Sequence, residues 1–322
     1  MRPWSEVARA VNAALQDGDF ERAHELMDPY EALADQTDHT ELAGKVAFYR
    51  GIAFDKAERF DDALRAFHEA MDFDIEAFGE ESTAVAHCLS SLALVYTRAR
   101  RPREAADRYI ACAELFRALG DAREADGCTV QACQRLIEAE DFEGVFDFDG
   151  VITGDSEPTY QVSWLIMKSE AWRRTKQSDA KLRTENMHFA LEAASDATRI
   201  TAPASAALQE ALRRAWMNYA VMELCFRDVD VAGLSYSMAL NFARTKAERD
   251  VVARSAASYA QDGIDVRLTK LDPEAFILAR TWSGYVTVLH RDHGVRVIVG
   301  ETTARVGEAI EVTVTDAGYA LS

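Results

Sequence analysis

The sequence predicts an all-α helical-repeat solenoid followed by a small C-terminal β-unit. Three observations predict it. A phrase recurs in the first half with steps of 40 and then 42 residues, counted from Ala23 to Ala63 to Ala105. Apolar residues keep helical spacing through about residue 262, and after Pro273 the pattern changes to alternation with period two. The chain of 322 residues is long enough for a large buried core, and its 6 prolines and 16 glycines are too few for a turn-rich β fold.

The recurring phrases are GDFERAHELM (18–27), ERFDDALRAFHEAM (58–71) and RRPREAADRYIACA (100–113). In each, a turn leads to an alanine, and a large residue follows four positions on: Met27, Phe67 and Tyr109. An amphipathic stretch precedes each of the last two. One carries Ala47, Gly51 and Phe54 on a stripe; the other carries Leu89, Leu92, Ala93 and Tyr96. Small residues at Gly51, Ala93, Ala63 and Ala105 let two helix backbones approach, and the aromatic residues fill the space above them. Such a helix pair cannot bury its face alone and must stack on its neighbours.

These residues resemble the tetratricopeptide repeat family. Its pattern sets a small residue eighth and an aromatic eleventh in helix A, then an alanine twentieth, an aromatic twenty-fourth and a small residue twenty-seventh. Gly51, Phe54, Ala63, Phe67 and Ala70 fill one set; Ala93, Tyr96, Ala105, Tyr109 and Cys112 fill the next. Over about 40–120, the 42-residue step is similar to the longer variant of kinesin light chains. A first repeat (about 4–36) and a fourth (about 123–145) are weaker, and the second helix of the fourth breaks into FDFDGVITGDSEPTY. Helices then resume at 160–175, about 178–200, 204–226, 229–245 and 247–262, with Trp216, Ala220, Ala232, Tyr236 and Ala239 keeping the family spacing. The organisation expected is repeats over 1–145, an irregular loop at 146–159, further helical hairpins over 160–272, and a β-hairpin or small sheet over 273–322. That tail, with its hairpin around RDHG, would cap the stack or offer an edge for docking or oligomerisation.

The resemblance implies a concave groove lined by the A helices. Its inward positions fall on Asn12, then Lys45, Phe48, Tyr49, Ile52 and Lys56, then His87, Leu94 and Arg98, then Gln131 and Gln134. If the later helices continue the superhelix, Arg214, Met217, Asn218 and Val221 follow. Apolar anchors mixed with cations suit a peptide bearing a carboxylate or acidic side chain. Chaperone-binding members hold a terminal carboxylate with lysine, asparagine and arginine at set positions; here only Asn12 matches, while Ala8, Tyr49, His87 and Ser91 occupy the others. The function expected is a protein- or peptide-binding adaptor or scaffold. The alternative is a peptide-responsive regulator that changes shape on binding.

Catalysis is not expected. The segment VFDFDGVITGDSEPTY is similar to the first motif of haloacid-dehalogenase-like phosphatases, in which Asp147 would be the nucleophile and Asp149 the acid/base beside Mg²⁺. That motif must end a buried strand, whereas only Val145 and Phe146 separate Asp147 from the charged EAEDFEG. No Walker A, GxGxxG, GxSxG or HExxH pattern occurs, and no cofactor is expected. His290 and His293 flank a turn without a third metal ligand nearby.

The net charge of −18 repels nucleic acid and anionic membranes. No stretch approaches the roughly 20 apolar residues of a membrane span, and no secretory leader is apparent. Five cysteines, all in helical patterns, read as buried free thiols. A cytoplasmic location follows as an expectation, and the alanine- and arginine-rich usage points to a bacterial source.

Overall fold

The computed structural model describes residues 3–176, 180–200 and 205–268, together with residue 310 and the backbone of five C-terminal strands. The chain divides into two compact units, Met1–Asp141 and Phe142–Ser322.

Among the described residues the first unit has seven helices: α1 (Trp4–Asp17), α2 (Phe20–Thr37), α3 (Thr40–Lys56), α4 (Phe60–Phe78), α5 (Thr83–Arg98), α6 (Pro102–Ala118) and α7 (Ala122–Glu138). Each packs on the next. Polar residues set several starts: the Asp19, Ser82 and Asp121 side chains accept from the backbone N–H three residues on, and His39 Nδ1 does the same for Leu42. The ends repeat more strictly. Gly18, Glu58, Arg100 and Glu140, which follow the four odd-numbered helices, all have positive φ. In each case the next residue donates its N–H to a carbonyl five back, as Asp19 to Ala14, Arg59 to Phe54, Arg101 to Tyr96 and Asp141 to Leu136, all at 2.9 Å. The left-handed residue reverses the chain, and the backward bond satisfies a terminal carbonyl. Three of the four are not glycine, so the recurring turn is set by helix pairing and carries a residue-level backbone cost.

The small residues lie at the contacts that the sequence pattern expects. Ala23, Ala63, Ala70, Ala93, Ala105 and Cys112 are fully buried, with Met27, Phe67 and Tyr109 packed against them. Gly51 has the tightest role. A Cβ there would stand 2.8 Å from the Phe67 ring, so the ring lies directly on the α3 backbone. Gly51→Leu is expected to destabilise this unit by about 2 kcal/mol net, because overpacking costs about 1–3 kcal/mol or more and helix propensity returns up to about 1 kcal/mol. Urea unfolding checks this, and an unchanged midpoint would mean that Phe67 yields freely.

The second unit contains α8 (Glu143–Phe146), α9 (Pro158–Arg174), α10 (Ala180–Arg199), α11 (Ala206–Cys225), α12 (Val229–Asn241) and α13 (Lys246–Ser258). Its main core joins Trp216, Tyr219, Ala220, Met222, Ala232, Tyr236 and Ala239 to residues of α10 and α13. The α11–α12 turn repeats the device of the first unit: Arg227 has positive φ, and Asp228 N–H donates to the Glu223 carbonyl at 3.0 Å. α12 stops before the expected 245 because Thr245 and Glu248 form a reciprocal capping box that starts α13. Between α8 and α9 the chain runs through turns, and α8 is only four residues long. The 146–159 stretch thus begins at the end of a short helix.

Strands β1 (Ala275–Arg280), β2 (Tyr285–His290) and β3 (Gly294–Val299) pair antiparallel in that order, and β4 (Val312–Thr315) pairs with β5 (Gly318–Leu321). These backbone pairings do not by themselves establish the small β-unit expected from sequence. The fold of the described residues is the helical solenoid. His293, the connecting segments and the capping or docking role expected of the tail lie outside the described residues.

One thiol departs from expectation. Cys88, Cys112, Cys128 and Cys133 are buried, but Cys225 is exposed, because it is the last residue of α11 and the chain turns away there. Cys112 and Cys128, on neighbouring helices, bring their sulfurs to 3.3 Å as free thiols.

Candidate functional site

In the first unit the sequence-predicted residues all sit on odd-numbered helices, but they differ in what they offer a ligand. Asn12 on α1 is exposed, and its Nδ2 donates to the Tyr49 hydroxyl at 3.5 Å. Tyr49 is half-buried, with the Trp4 indole edge-on at 5.6 Å between centroids. Phe48 and Ile52 are half-buried too and serve the core: Phe48 stacks edge-to-face on Phe67 at 5.2 Å, and Ile52 packs into two apolar clusters. Their contribution is therefore mostly structural.

Lys45 is exposed and paired with Glu41 one turn earlier; the hydrogen bond from Lys45 holds the Glu41 carboxyl below its usual range. Lys56, at the end of α3, is exposed. His87 is exposed with its edge against Phe116 at 5.9 Å. Leu94 is 50 % exposed, an apolar side chain held out from α5. Gln131 is exposed and Gln134 half-buried on α7. Arg214 and Asn218 belong to α11 of the second unit; Arg214 is exposed, and Asn218 Nδ2 is buried without a hydrogen-bond partner among the described residues.

Around Arg98 the structure assembles something that the groove positions alone do not predict. Where α3, α5 and α7 end, Arg98, Arg100 and Arg135 line an open cleft of about 660 Å³ together with Glu58, Glu138 and the Phe60 ring. Arg98 donates to Asp55 at 2.5 Å and lies 5.7 Å from the Phe60 centroid. Arg135 pairs with Glu138 at 2.8 Å, yet its buried Nε has no partner among the described residues. Arg100 is exposed on its left-handed turn. Three guanidinium groups at helix C-termini are favoured there by the negative end of the helix dipole. They also present donors in the fork geometry that fits carboxylates. Sequence reasoning found Arg98 and missed Arg100 and Arg135. The available signal was the recurrence of a basic residue at or just after the end of an A helix, as in Lys56, Arg98 and Arg100.

The acidic loop is placed differently from the phosphatase motif that it resembles. Helix α8 occupies the place of the buried strand, and Asp147 caps its C-terminus. Asp149 accepts from Lys168 Nζ at 2.6 Å and is half exposed. Among the described residues, no group of three or more His, Cys, Asp or Glu side chains is placed to hold a metal ion, and no helix is long and apolar enough to cross a membrane.

Helices that each pack on the next, the odd-numbered ones closed by one recurrent turn, define a helical-hairpin repeat protein. The tetratricopeptide repeat family model matches residues 46–118, so this segment is similar to that family. Among solved structures, the apo form of the quorum sensor NprR from B. thuringiensis is similar at TM-score 0.51 and 12 % identity, over 80 % of this chain and 71 % of that one. NprR in complex with its cognate peptide NprX aligns at TM-score 0.40 and 11 % identity, over 79 % and 71 % of the two chains. BtubC (BKLC) from P. vanneervenii aligns at TM-score 0.42 and 16 % identity, over 62 % and 83 %. No curated relative matches by sequence.

Proposed function

We propose that the protein is a peptide- or protein-binding adaptor that captures an extended segment along the odd-numbered helices of its first unit. The observation that carries this reading is the arginine-lined cleft, with exposed Leu94 one turn before Arg98 on α5: an apolar anchor near donors suited to a carboxylate. Asn12, Lys45, Lys56, His87, Gln131 and Gln134 would supply the polar rim, and Tyr49 a half-buried aromatic wall. The partner would carry an acidic side chain or free C-terminus together with an aliphatic residue. Arg214 and Asn218 lie on α11 of the second unit. The organisation into repeats, loop, later hairpins and tail, and the kinesin-light-chain-like spacing, remain part of this proposal.

A second reading, a regulator that changes shape on binding a peptide, is supported by the fold shared with NprR, a quorum sensor. The two readings make different predictions once a ligand is in hand: scattering would record a smaller radius of gyration on binding under the second and no change under the first.

The test compares the intact protein with a Lys56→Glu/Arg100→Glu variant. Both residues are exposed, so the reversal leaves the core intact. Affinity capture from native-host lysate should retain a partner on the intact protein and lose it, roughly tenfold or more, on the variant. Equal retention on both would sink the cleft as the binding site.

A further inference from the structure

The adaptor reading uses none of the protein's thiols, yet the α6–α7 hairpin brings two of them together. Cys112 on α6 and Cys128 on α7 are 16 residues apart in the chain, with their sulfurs 3.3 Å from each other. A disulfide needs about 2.05 Å, so the sulfurs have only about 1.3 Å to close, a step within the reach of side-chain torsions. Neither residue lines the arginine cleft.

Their environments differ in the way that a directed oxidation requires. Cys112 is fully buried, and its thiol also donates to the Ala86 carbonyl on α5 at 3.3 Å. Cys128 keeps 8 % of its surface exposed. Gly127 beside it weakens α7 from within, so local opening admits a small oxidant. The hydrogen bond with Cys112 holds the Cys128 thiol below its usual range, against burial; the same bond, together with burial, pushes Cys112 up. Cys128 is therefore the sulfur that meets an oxidant as a thiolate, while Cys112 keeps its proton until its neighbour has reacted. The other buried thiols are placed differently: Cys88 donates to Asp74 Oδ2 at 3.4 Å, and burial pushes Cys133 up to about 12.

We propose that Cys112 and Cys128 are a peroxide-sensitive dithiol whose disulfide staples α6 to α7. The Cys128 thiolate attacks hydrogen peroxide and breaks its O–O bond. The sulfur becomes a sulfenic acid, and the departing hydroxide takes up the thiol's proton as water. The Cys112 sulfur then attacks the Cys128 sulfur. The S–S bond forms, the S–O bond breaks, and the hydroxyl leaves with the Cys112 proton as a second water. Two thiols lose two electrons in all, and one peroxide is reduced to two waters. The link ties down α7, the last of the first unit's described helices, through a short closed loop.

The test treats the full chain, reduced and then freed of reductant, with a few equivalents of hydrogen peroxide. The product is alkylated and digested with trypsin without reduction. Cleavage at arginine puts Cys112 in peptide 109–117, Cys128 with Cys133 in peptide 124–135, and exposed Cys225 apart from both in 215–227. The expected product is the first two peptides joined, lighter by two hydrogens than their sum. It should persist in Cys133→Ser, vanish in Cys128→Ser and be split by dithiothreitol. Amide hydrogen exchange along α7 should run roughly tenfold slower in the oxidised protein than in the same sample reduced again. A native chain that yields no joined peptide overturns the proposal, and this outcome needs no variant to fold. So do a link lost in Cys133→Ser, a link kept in Cys128→Ser, and α7 amides that exchange at one rate in both states.

Discussion

Trp216→Ala is expected to cost about 3–5 kcal/mol and to be the most damaging single truncation in the second unit. Trp216 is 1 % exposed and lies in the cluster formed by α10, α11, α12 and α13, where its ring meets Tyr219 edge-on at 6.0 Å. Alanine would remove most of a large side chain and leave a void among Ala190, Ala220 and Ala239, which are too small to fill it. Helices here are joined mainly to their neighbours, so a loss at α11 should propagate to both sides of it. Denaturant unfolding followed by circular dichroism checks this. A loss below about 1 kcal/mol would mean that the surrounding helices collapse into the space. Trp216→Phe, which keeps a ring, should cost much less.

Glu223→Gln is expected to stabilise the protein above neutral pH by an amount on the order of 3 kcal/mol, with the gain vanishing near pH 4.5. Glu223 is buried at the end of α11, and burial pushes its carboxyl up to about 7; the nearby Asp228 adds to the rise, and a hydrogen bond with Tyr219 opposes it. In the unfolded chain the same carboxyl titrates near 4.5. Between these values the folded state binds the extra proton, so stability falls as pH rises from about 4.5 to about 7 and then levels off. Glutamine keeps the shape and the hydrogen-bonding capacity but cannot ionise. Melting temperatures of both proteins across pH 4.5 to 8.5 should converge at the acid end and separate at the alkaline end. Parallel curves would show that Glu223 reaches water in the folded protein. The position also bears on the turn, because the Glu223 carbonyl accepts the backward bond from Asp228.

The two units differ in how far a sequence reader can go. In the first, Ala63, Phe67 and Ala70 and their counterparts one repeat on could be assigned to the core because a helix places residues three and four apart on one face. The same rule placed Trp216, Ala220, Tyr236 and Ala239 inside the second unit. It could not distinguish groove residues that are free from those already engaged: Phe48 and Ile52 look like ligand contacts by position but pack into apolar clusters. Nor could it see that Arg98 is held by Asp55, 43 residues away.

Periodicity, composition and the spacing of small and aromatic residues therefore determined by themselves the helical repeat, the later helices to within about four residues at each end, and the buried small and aromatic positions of the central hairpins. All of these follow from local geometry that each helix carries in its own residues. Only the tertiary structure decided which charges share a cleft. Arg98, Arg100 and Arg135 come together because the ends of α5 and α7 are brought side by side. Phe146, Trp172 and Phe189 form one stack because α8, α9 and α10 pack in succession. Such meetings depend on how helices pack across distances that no single-helix pattern encodes.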